Sequence, residues 1–227
     1  MDILKASSVS KRFGKKSVLS DFSVSLSEGE TLLIIGFNGV GKSTLLDILN
    51  GVCFPDEGLI EMPDRKEIGY MASASEIYED LTGYKYLRFH TDFYEIPKKR
   101  ANEIIDEITD SMGVSDLKDK RFATMSSGER KRMKFIASIV HSPKLLILDE
   151  PFSNLDIKQC VVMTKMLSKL KKNGTTIVIV SHEFGTLEEI YDKILVMHGS
   201  DRHIVIGKDE LERSQKSLIT VVKEYIN

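Results

Sequence analysis

Residues 31–44 read TLLIIGFNGVGKST, an apolar run that is interrupted by three glycines and closed by a lysine and two hydroxyl side chains. The spacing G-x-x-x-x-G-K-[ST] is present in it, filled by Gly36, Gly41, Lys42 and Ser43. In such a loop, backbone N–H groups surround phosphates, the lysine reaches the β- and γ-phosphates, and the hydroxyl binds Mg²⁺. The stretch therefore predicts a site for a nucleoside triphosphate with Mg²⁺, and a glycine-rich turn without a ligand is the alternative.

Two other apolar runs extend this pattern into an α/β core. LLIL at residues 145–148 and TIVIV at residues 176–180 are short and fully apolar, as expected for buried parallel strands that are covered by helices. The glycine-rich loop itself follows a strand-like run and opens a helix-like segment over residues 43–50. A further helix is predicted between the second and third runs, ending at Asn173-Gly174. We therefore predict an α/β fold around a mainly parallel central sheet.

The rest of the sequence predicts two further parts of a single domain that spans residues 1–227. Residues 2–35 read as strands and predict an antiparallel β part at the N-terminus. The middle of the chain reads as helix, with one apolar stripe at Ala101, Ile104, Ile105, Ile108 and Met112. We expect residues 1–72 and 142–227 to form the P-loop core with its antiparallel part, and residues 73–141 to form a helical subdomain inserted into it.

Composition excludes several kinds of function. The chain has 32 basic and 34 acidic residues, so its net charge gives no support for binding nucleic acid or an anionic membrane surface. Cys53 and Cys160 show no metal-binding or redox spacing and fit a reducing compartment. The N-terminus lacks a secretory pattern, and no stretch approaches the ~20 apolar residues of a membrane-spanning helix. We expect a cytoplasmic protein that does not itself cross a membrane.

Polar side chains follow each of the three apolar runs. LLIL runs into Asp149-Glu150, TIVIV runs into Ser181-His182, and the first run enters the glycine-rich loop. Open α/β sheets bind ligands at the carboxyl ends of their strands, so these groups are expected at one edge. There Asp149 would hold Mg²⁺ or its water, Glu150 would orient an attacking water, and His182 would contact a γ-phosphate. Solvated strand ends and an ordinary capping histidine are the alternatives.

The turn Met125-Ser-Ser-Gly-Glu129 precedes a helical segment, RKRMKFIASIV. As local structure it is an S-x-x-E capping box, with Ser126 at the cap and Glu129 reaching back. A helix N-terminus approached by small residues also offers free N–H groups and a favourable dipole to an anion. The two interpretations are compatible.

Together these motifs resemble the ATP-binding subunit of an ABC transporter, over nearly the whole chain. GFNGVGKST is similar to the Walker A loop, MSSGE to the signature motif, LLILDEP to Walker B, SNLD to the D-loop and VSH to the switch-histidine loop. The resemblance implies Lys42, Glu150 and His182 as catalytic residues, with Ser43 and Asp149 as ligands of Mg²⁺. It implies that ATP is bound by Phe13, Gly36, Asn38, Gly39, Gly41, Lys42, Ser43, Thr44, Ser126, Ser127, Gly128, Glu129 and Asp156.

The resemblance also implies partners. Two nucleotide-binding domains, identical or different, would form a head-to-tail dimer, with each ATP between the Walker A loop of one and residues 126–129 of the other, and Asp156 at the seam. A separate transmembrane permease would hold the chain on the inner face of the cell membrane, and no nucleic acid is expected. Residues 73–90 would line the groove that receives a permease helix, with Tyr78 or Tyr84 on the docking surface. The segment LTGYKYLRFHTDFYEIP resembles the branch that exports drugs, antibiotics and peptides.

Two positions depart from the family pattern, and one other function remains open. Ser73 stands where most relatives have a glutamine that bridges Mg²⁺ and water, and Ser127 replaces a glycine of the signature. The alternative function is an ABC-type ATPase switch in translation or repair without a membrane partner. Such proteins usually carry tandem cassettes or long coiled-coil and basic segments, which this sequence lacks. An ordinary P-loop kinase does not explain MSSGE, LLILDEP and SNLD together.

Overall fold

A small antiparallel sheet forms the N-terminal part of the computed structural model, which describes residues 2–73, 79–182, 187, 189–214, 220 and 225. Strand β1 (Asp2–Phe13) is central in it and pairs with β2 (Lys16–Ser27) on one side and β4 (Glu57–Glu61) on the other. Along β2, buried residues alternate with exposed ones near its end, which is the pattern of a strand with one covered face. The predicted antiparallel part is confirmed.

A larger sheet of six strands forms the centre of the protein and brings the three apolar runs together. Its order is β5-β6-β7-β3-β8-β9, and all neighbouring strands are parallel except β8 and β9. The strands are β3 (Thr31–Gly36), β5 (Ile68–Met71), β6 (Leu145–Asp149), β7 (Thr176–Val180), β8 (Lys193–Met197) and β9 (His203–Gly207). Since β6, β7 and β3 are adjacent, their carboxyl ends meet at one edge, as the sequence predicts.

Six helices are described: α1 (Lys42–Leu49), α2 (Gly83–Phe93), α3 (Lys98–Ser111), α4 (Ser127–Ile139), α5 (Ile157–Lys172) and α6 (Lys208–Ser214). Short 3₁₀ turns lie at Arg65–Glu67, Ser115–Lys118 and Phe122–Thr124. Pro97 precedes α3, and Asn173 caps the end of α5, as their sequence signals indicate. Among the described residues, no helix is both long and apolar enough to span a membrane.

The large sheet divides the hydrophobic core into two clusters, and β3 shows how. Leu33 and Ile35 face a cluster that includes residues of α2, α3, α4 and α5. Leu32 and Ile34 face the opposite cluster, which includes residues of α1 and the small sheet. This alternation is the two-residue period of a strand that is covered on both faces. The fold is thus α/β with a mainly parallel sheet, and the helices that follow residue 82 pack on the same sheet that ends at the candidate site.

Candidate nucleotide-binding and catalytic site

The loop between β3 and α1 depends on glycine at two positions. A Cβ atom at Gly36 would lie 2.3 Å from the carbonyl oxygen of Met197. At Gly41, φ is +115°, and a Cβ atom would lie 2.8 Å from the carbonyl oxygen of Val18. Gly41 caps α1 without a side-chain hydrogen bond, so the N-terminus of this helix presents its first N–H groups and its dipole. This geometry suits a phosphate group.

Lys42 is buried beneath this loop. Its ammonium group donates hydrogen bonds to the carbonyl oxygens of Gly36, at 2.7 Å, and Phe37, at 2.9 Å. Burial lowers the pKa of Lys42, while Glu150 and Asp149 oppose that change. The loop therefore orients a cation towards the acidic end of β6.

Asp149 and Glu150 follow β6 at the same edge. Glu150 adopts a left-handed backbone, with φ +49°, and its N–H donates to the carbonyl oxygen of Val180 at 2.9 Å. Its carboxylate accepts a 3.3 Å hydrogen bond from the backbone N–H of His182, whose Nε2 lies 3.4 Å from the other carboxylate oxygen. Burial raises the pKa of Glu150. The pairing of β6 with β7 thus places the predicted base and the predicted histidine in contact.

A cavity of 430 Å³ brings most of the predicted residues together. Its lining includes Asn38, Gly39, Gly41, Lys42, Ser43, Thr44, Asp149, Glu150 and His182. Ser73, which stands at the family's glutamine position, lines the same cavity. Lys16 and Val18 also line it, and sequence reasoning missed them as site residues because the start of β2 carries no local motif.

Phe13 lies at the end of β1, outside the lining of this cavity. Its side chain is 54% exposed, and the ammonium of Lys11 lies 5.5 Å from the centre of its ring. Phe13 is therefore a surface residue on the hairpin that leads to Lys16 and Val18. Its stacking on adenine stays a prediction.

The MSSGE turn forms the expected capping box at the start of α4. The Ser126 hydroxyl accepts a hydrogen bond from the Glu129 N–H at 3.2 Å, and the Glu129 carboxylate accepts one from the Ser126 N–H at 2.7 Å. Lys120 lies 2.8 Å from that carboxylate and lowers the pKa of Glu129. Ser126 and Ser127 are exposed, and they do not line the cavity of the phosphate loop in the same chain.

A second capping box begins α5, beside the first. The Asp156 carboxylate accepts a hydrogen bond from the Gln159 N–H at 2.8 Å, and the Gln159 side chain accepts one from the Asp156 N–H. The D-x-x-Q spacing could have predicted this cap from sequence. A Cβ atom at Gly128 would lie 3.0 Å from the Gln159 side chain and 3.2 Å from the Asn154 carbonyl, so α4 packs closely on the start of α5.

Comparison with protein families gives a matching profile. The profile described as ABC transporter matches residues 19–153, which include the glycine-rich loop, the MSSGE turn and the acid pair. The match thus covers more than half of the chain.

Individual relatives carry related names. The uncharacterized ABC transporter ATP-binding protein MJ1023 of Methanocaldococcus jannaschii is 31% identical over 194 residues, which are 86% of this chain and 73% of that protein. The molybdate/tungstate import ATP-binding protein WtpC of Pyrococcus horikoshii is 28% identical, over 86% of this chain and 59% of that protein. The linearmycin resistance ATP-binding protein LnrL of Bacillus subtilis is 26% identical, over 92% of this chain and 70% of that protein.

A solved structure has the same fold. A structure described as the ATP binding subunit of an ABC transporter superimposes with a TM-score of 0.91, over 99% of this chain and 100% of that one. Its sequence is 22% identical, so this likeness concerns the fold.

Proposed function

The chain belongs to the ABC transporter family as an ATP-binding domain with ATPase activity, and from this premise we propose that it powers transport through a separate membrane permease. The observation that carries the proposal is the single cavity in which the phosphate loop, Asp149, Glu150 and His182 meet. We further propose export as the direction. The resemblance of residues 81–97 to the exporter branch and the name of the linearmycin resistance relative support export, whereas the name of WtpC denotes import.

The roles of the site residues follow from their chemistry. The loop N–H groups and Lys42 bind the ATP phosphates, since a buried cation and a helix N-terminus both favour anions. Mg²⁺ fits the Ser43 hydroxyl and the Asp149 carboxylate, because these line one cavity and supply the oxygen ligands that this ion prefers. When bound, the ion neutralises phosphate charge. Glu150 accepts a proton from the attacking water, and His182 orients the Glu150 carboxylate and contacts the γ-phosphate.

A second nucleotide-binding domain, identical or different, completes the proposed site. Ser126 and Ser127 are exposed at the N-terminus of α4, Gly128 and Glu129 follow them, and none of the four lines the cavity of the chain's own phosphate loop. In a head-to-tail dimer, this helix end would meet the ATP held by the other domain's phosphate loop. Asp156 starts the neighbouring helix and would lie at the seam.

The rate of ATP hydrolysis should depend on pH in a way that reports on Glu150. The base acts as the carboxylate, and burial raises its pKa above the ordinary value of 4.5. Activity should therefore be lost as pH falls through a pKa that lies above 4.5. The measurement is kcat/KM, which reports on the free enzyme, from about pH 4 to 9, with folding followed by circular dichroism. An acid limb at or below 4.5 would contradict the assignment of Glu150 as a buried base.

The permease-docking surface is proposed at a cavity of 670 Å³ that is lined from α2, α4 and β5. Phe89 and Phe93 line it and are 60% and 67% exposed. Solvent-exposed aromatic side chains at a cavity are typical anchors for a partner. Of the two tyrosines expected on this surface, Tyr78 lies outside the described residues. Tyr84 donates a hydrogen bond to Asn102 at 2.9 Å, packs against the core and does not line the cavity. We therefore propose Phe89 and Phe93, in place of Tyr84, as the anchors for the permease.

Replacing both anchors by aspartate should separate ATP binding from assembly. The Phe89→Asp/Phe93→Asp variant should fold and bind ATP normally, because both side chains are exposed, but it should lose co-purification with the permease by at least about tenfold. The matched control is Leu59→Asp, which changes a 59% exposed apolar residue on the small sheet. If the double variant assembles as well as the control, the docking surface is elsewhere.

A further inference from the structure

Lys131 connects α4 to the acid pair at the end of β6. It is a buried residue of α4, and its ammonium group donates a 2.7 Å hydrogen bond to the carbonyl oxygen of Glu150. The same ammonium also donates to the hydroxyl of Ser153, which itself donates to the Glu150 carbonyl at 3.1 Å. Hydrogen bonds from a charged donor are shorter and stronger than those between neutral groups, particularly where water is excluded.

Lys131 binds a stretch of backbone with an uncommon conformation, at Glu150. Glu150 has φ +49°, in the left-handed region that residues with a side chain rarely occupy and that persists only when surrounding contacts fix it. Those contacts come from different elements. The Glu150 N–H donates to the carbonyl oxygen of Val180 in β7, and the Glu150 carboxylate accepts from the N–H of His182. The Glu150 carbonyl accepts from Lys131 of α4.

The helix that carries Lys131 is capped at its N-terminus by Ser126, the residue that would face the ATP of the other domain. Ser126 and Lys131 are five residues apart on a capped and closely packed helix, so a shift of that end would move the lysine as well. The Lys131–Glu150 contact spans 19 residues of sequence and joins α4 to the turn that follows β6.

From these contacts we propose that Lys131 is a positioning residue for ATP hydrolysis. It fixes the peptide of Glu150, so that the Glu150 carboxylate is oriented towards the attacking water only when α4 keeps its hydrogen bond to the Glu150 carbonyl. The inference rests on the proposed role of Glu150 as the base. Lys131 does not line the cavity of the phosphate loop, and we expect it to act on hydrolysis through Glu150.

Replacing Lys131 by methionine tests this role in the whole 227-residue chain. Lys131→Met should lower kcat by roughly tenfold to 10²-fold, as expected when a catalytic group is misplaced, while the Kd for ATP changes less than about twofold. Lys131→Arg keeps a charged donor and should recover most of the activity. Lys165→Met, on the exposed face of α5, is the matched control and should be as active as the unmodified chain.

A double-mutant cycle with Glu150→Gln decides whether Lys131 acts through the base. In the Glu150→Gln background, Lys131→Met should slow hydrolysis by less than about twofold further, because the group it positions is already gone. A multiplicative loss, or a Lys131→Met variant with normal kcat, would overturn the inference. If the methionine variant does not fold, Ser153→Ala serves in its place, since it removes a hydrogen-bond partner that Lys131 and the Glu150 carbonyl share. Hydrolysis at the normal rate by Glu150→Gln alone would instead refute the proposed base.

Discussion

ATP turnover should be abolished when Lys42 is replaced by alanine, and ATP binding should weaken by at least about tenfold. The Lys42 ammonium is buried beneath the phosphate loop, 2.7 Å and 2.9 Å from two loop carbonyl oxygens, and it lies at the cavity that also contains Asp149. Alanine removes the cation that meets the β- and γ-phosphates and leaves those carbonyls without their donor. Phosphate release and equilibrium ATP binding by the purified chain measure the two effects.

The control for this variant is Lys5→Ala, which removes an exposed lysine from β1 and should change neither quantity. Circular dichroism and the melting temperature establish that the Lys42→Ala chain is folded, which separates loss of the site from loss of the fold. Hydrolysis at the normal rate by folded Lys42→Ala would show that residues 36–44 are not the phosphate loop.

Replacing Glu150 by glutamine should leave ATP binding intact and slow hydrolysis by about 10² or more. Glutamine has the same shape, and its amide oxygen can still accept the hydrogen bond from the His182 N–H, so the turn should keep its conformation. What is lost is the ability to take a proton from water. Single-turnover kinetics at saturating Mg-ATP measure the chemical step without interference from product release.

The same variant should accumulate as a dimer, because unhydrolysed ATP would hold two copies together. Sedimentation velocity with and without Mg-ATP measures this, and Lys42→Ala is the control that should stay monomeric under both conditions. A Glu150→Gln chain that binds ATP but sediments only as a monomer would count against the head-to-tail homodimer. Hydrolysis slowed by less than about tenfold would count against Glu150 as the base.

The candidate site was largely predictable because its determinants are local or follow a general rule of sheets. The spacing of Gly36, Gly41 and Lys42 defines the phosphate loop within a few residues of chain. Asp149 and His182 are distant in sequence, but each follows a fully apolar strand, and parallel strands bring such residues to one edge. The capping box of Ser126 is likewise set by side chains three residues apart.

Contacts between distant elements could not be predicted in this way. The hydrogen bond from Lys131 to Glu150 depends on how α4 packs against the end of β6, which no local pattern specifies. Lys16 and Val18 enter the site only because β2 passes beside the phosphate loop. Strands β8 and β9 were not identified individually, since their short apolar runs carry no functional motif.

The proposed docking surface shows what a helical pattern leaves undetermined. Leu87 and Thr91 are four residues apart and form the buried face of α2. Phe89 and Phe93 have the same spacing but lie on another face, where they are exposed. The sequence has aromatic residues on both faces, so periodicity alone does not distinguish the proposed anchors from the core.

The claim that this ATPase drives a membrane partner is tested most directly by what co-purifies with it. The tagged chain would be isolated from detergent-solubilised membranes of the cells that contain it, and the recovered proteins would be identified and quantified by mass spectrometry. We expect a protein with several membrane-spanning segments to be recovered in stoichiometric amount with the chain, and the recovered complex to hydrolyse ATP. Recovery of the chain without any membrane protein, or with ribosomes or DNA repair complexes instead, would contradict it.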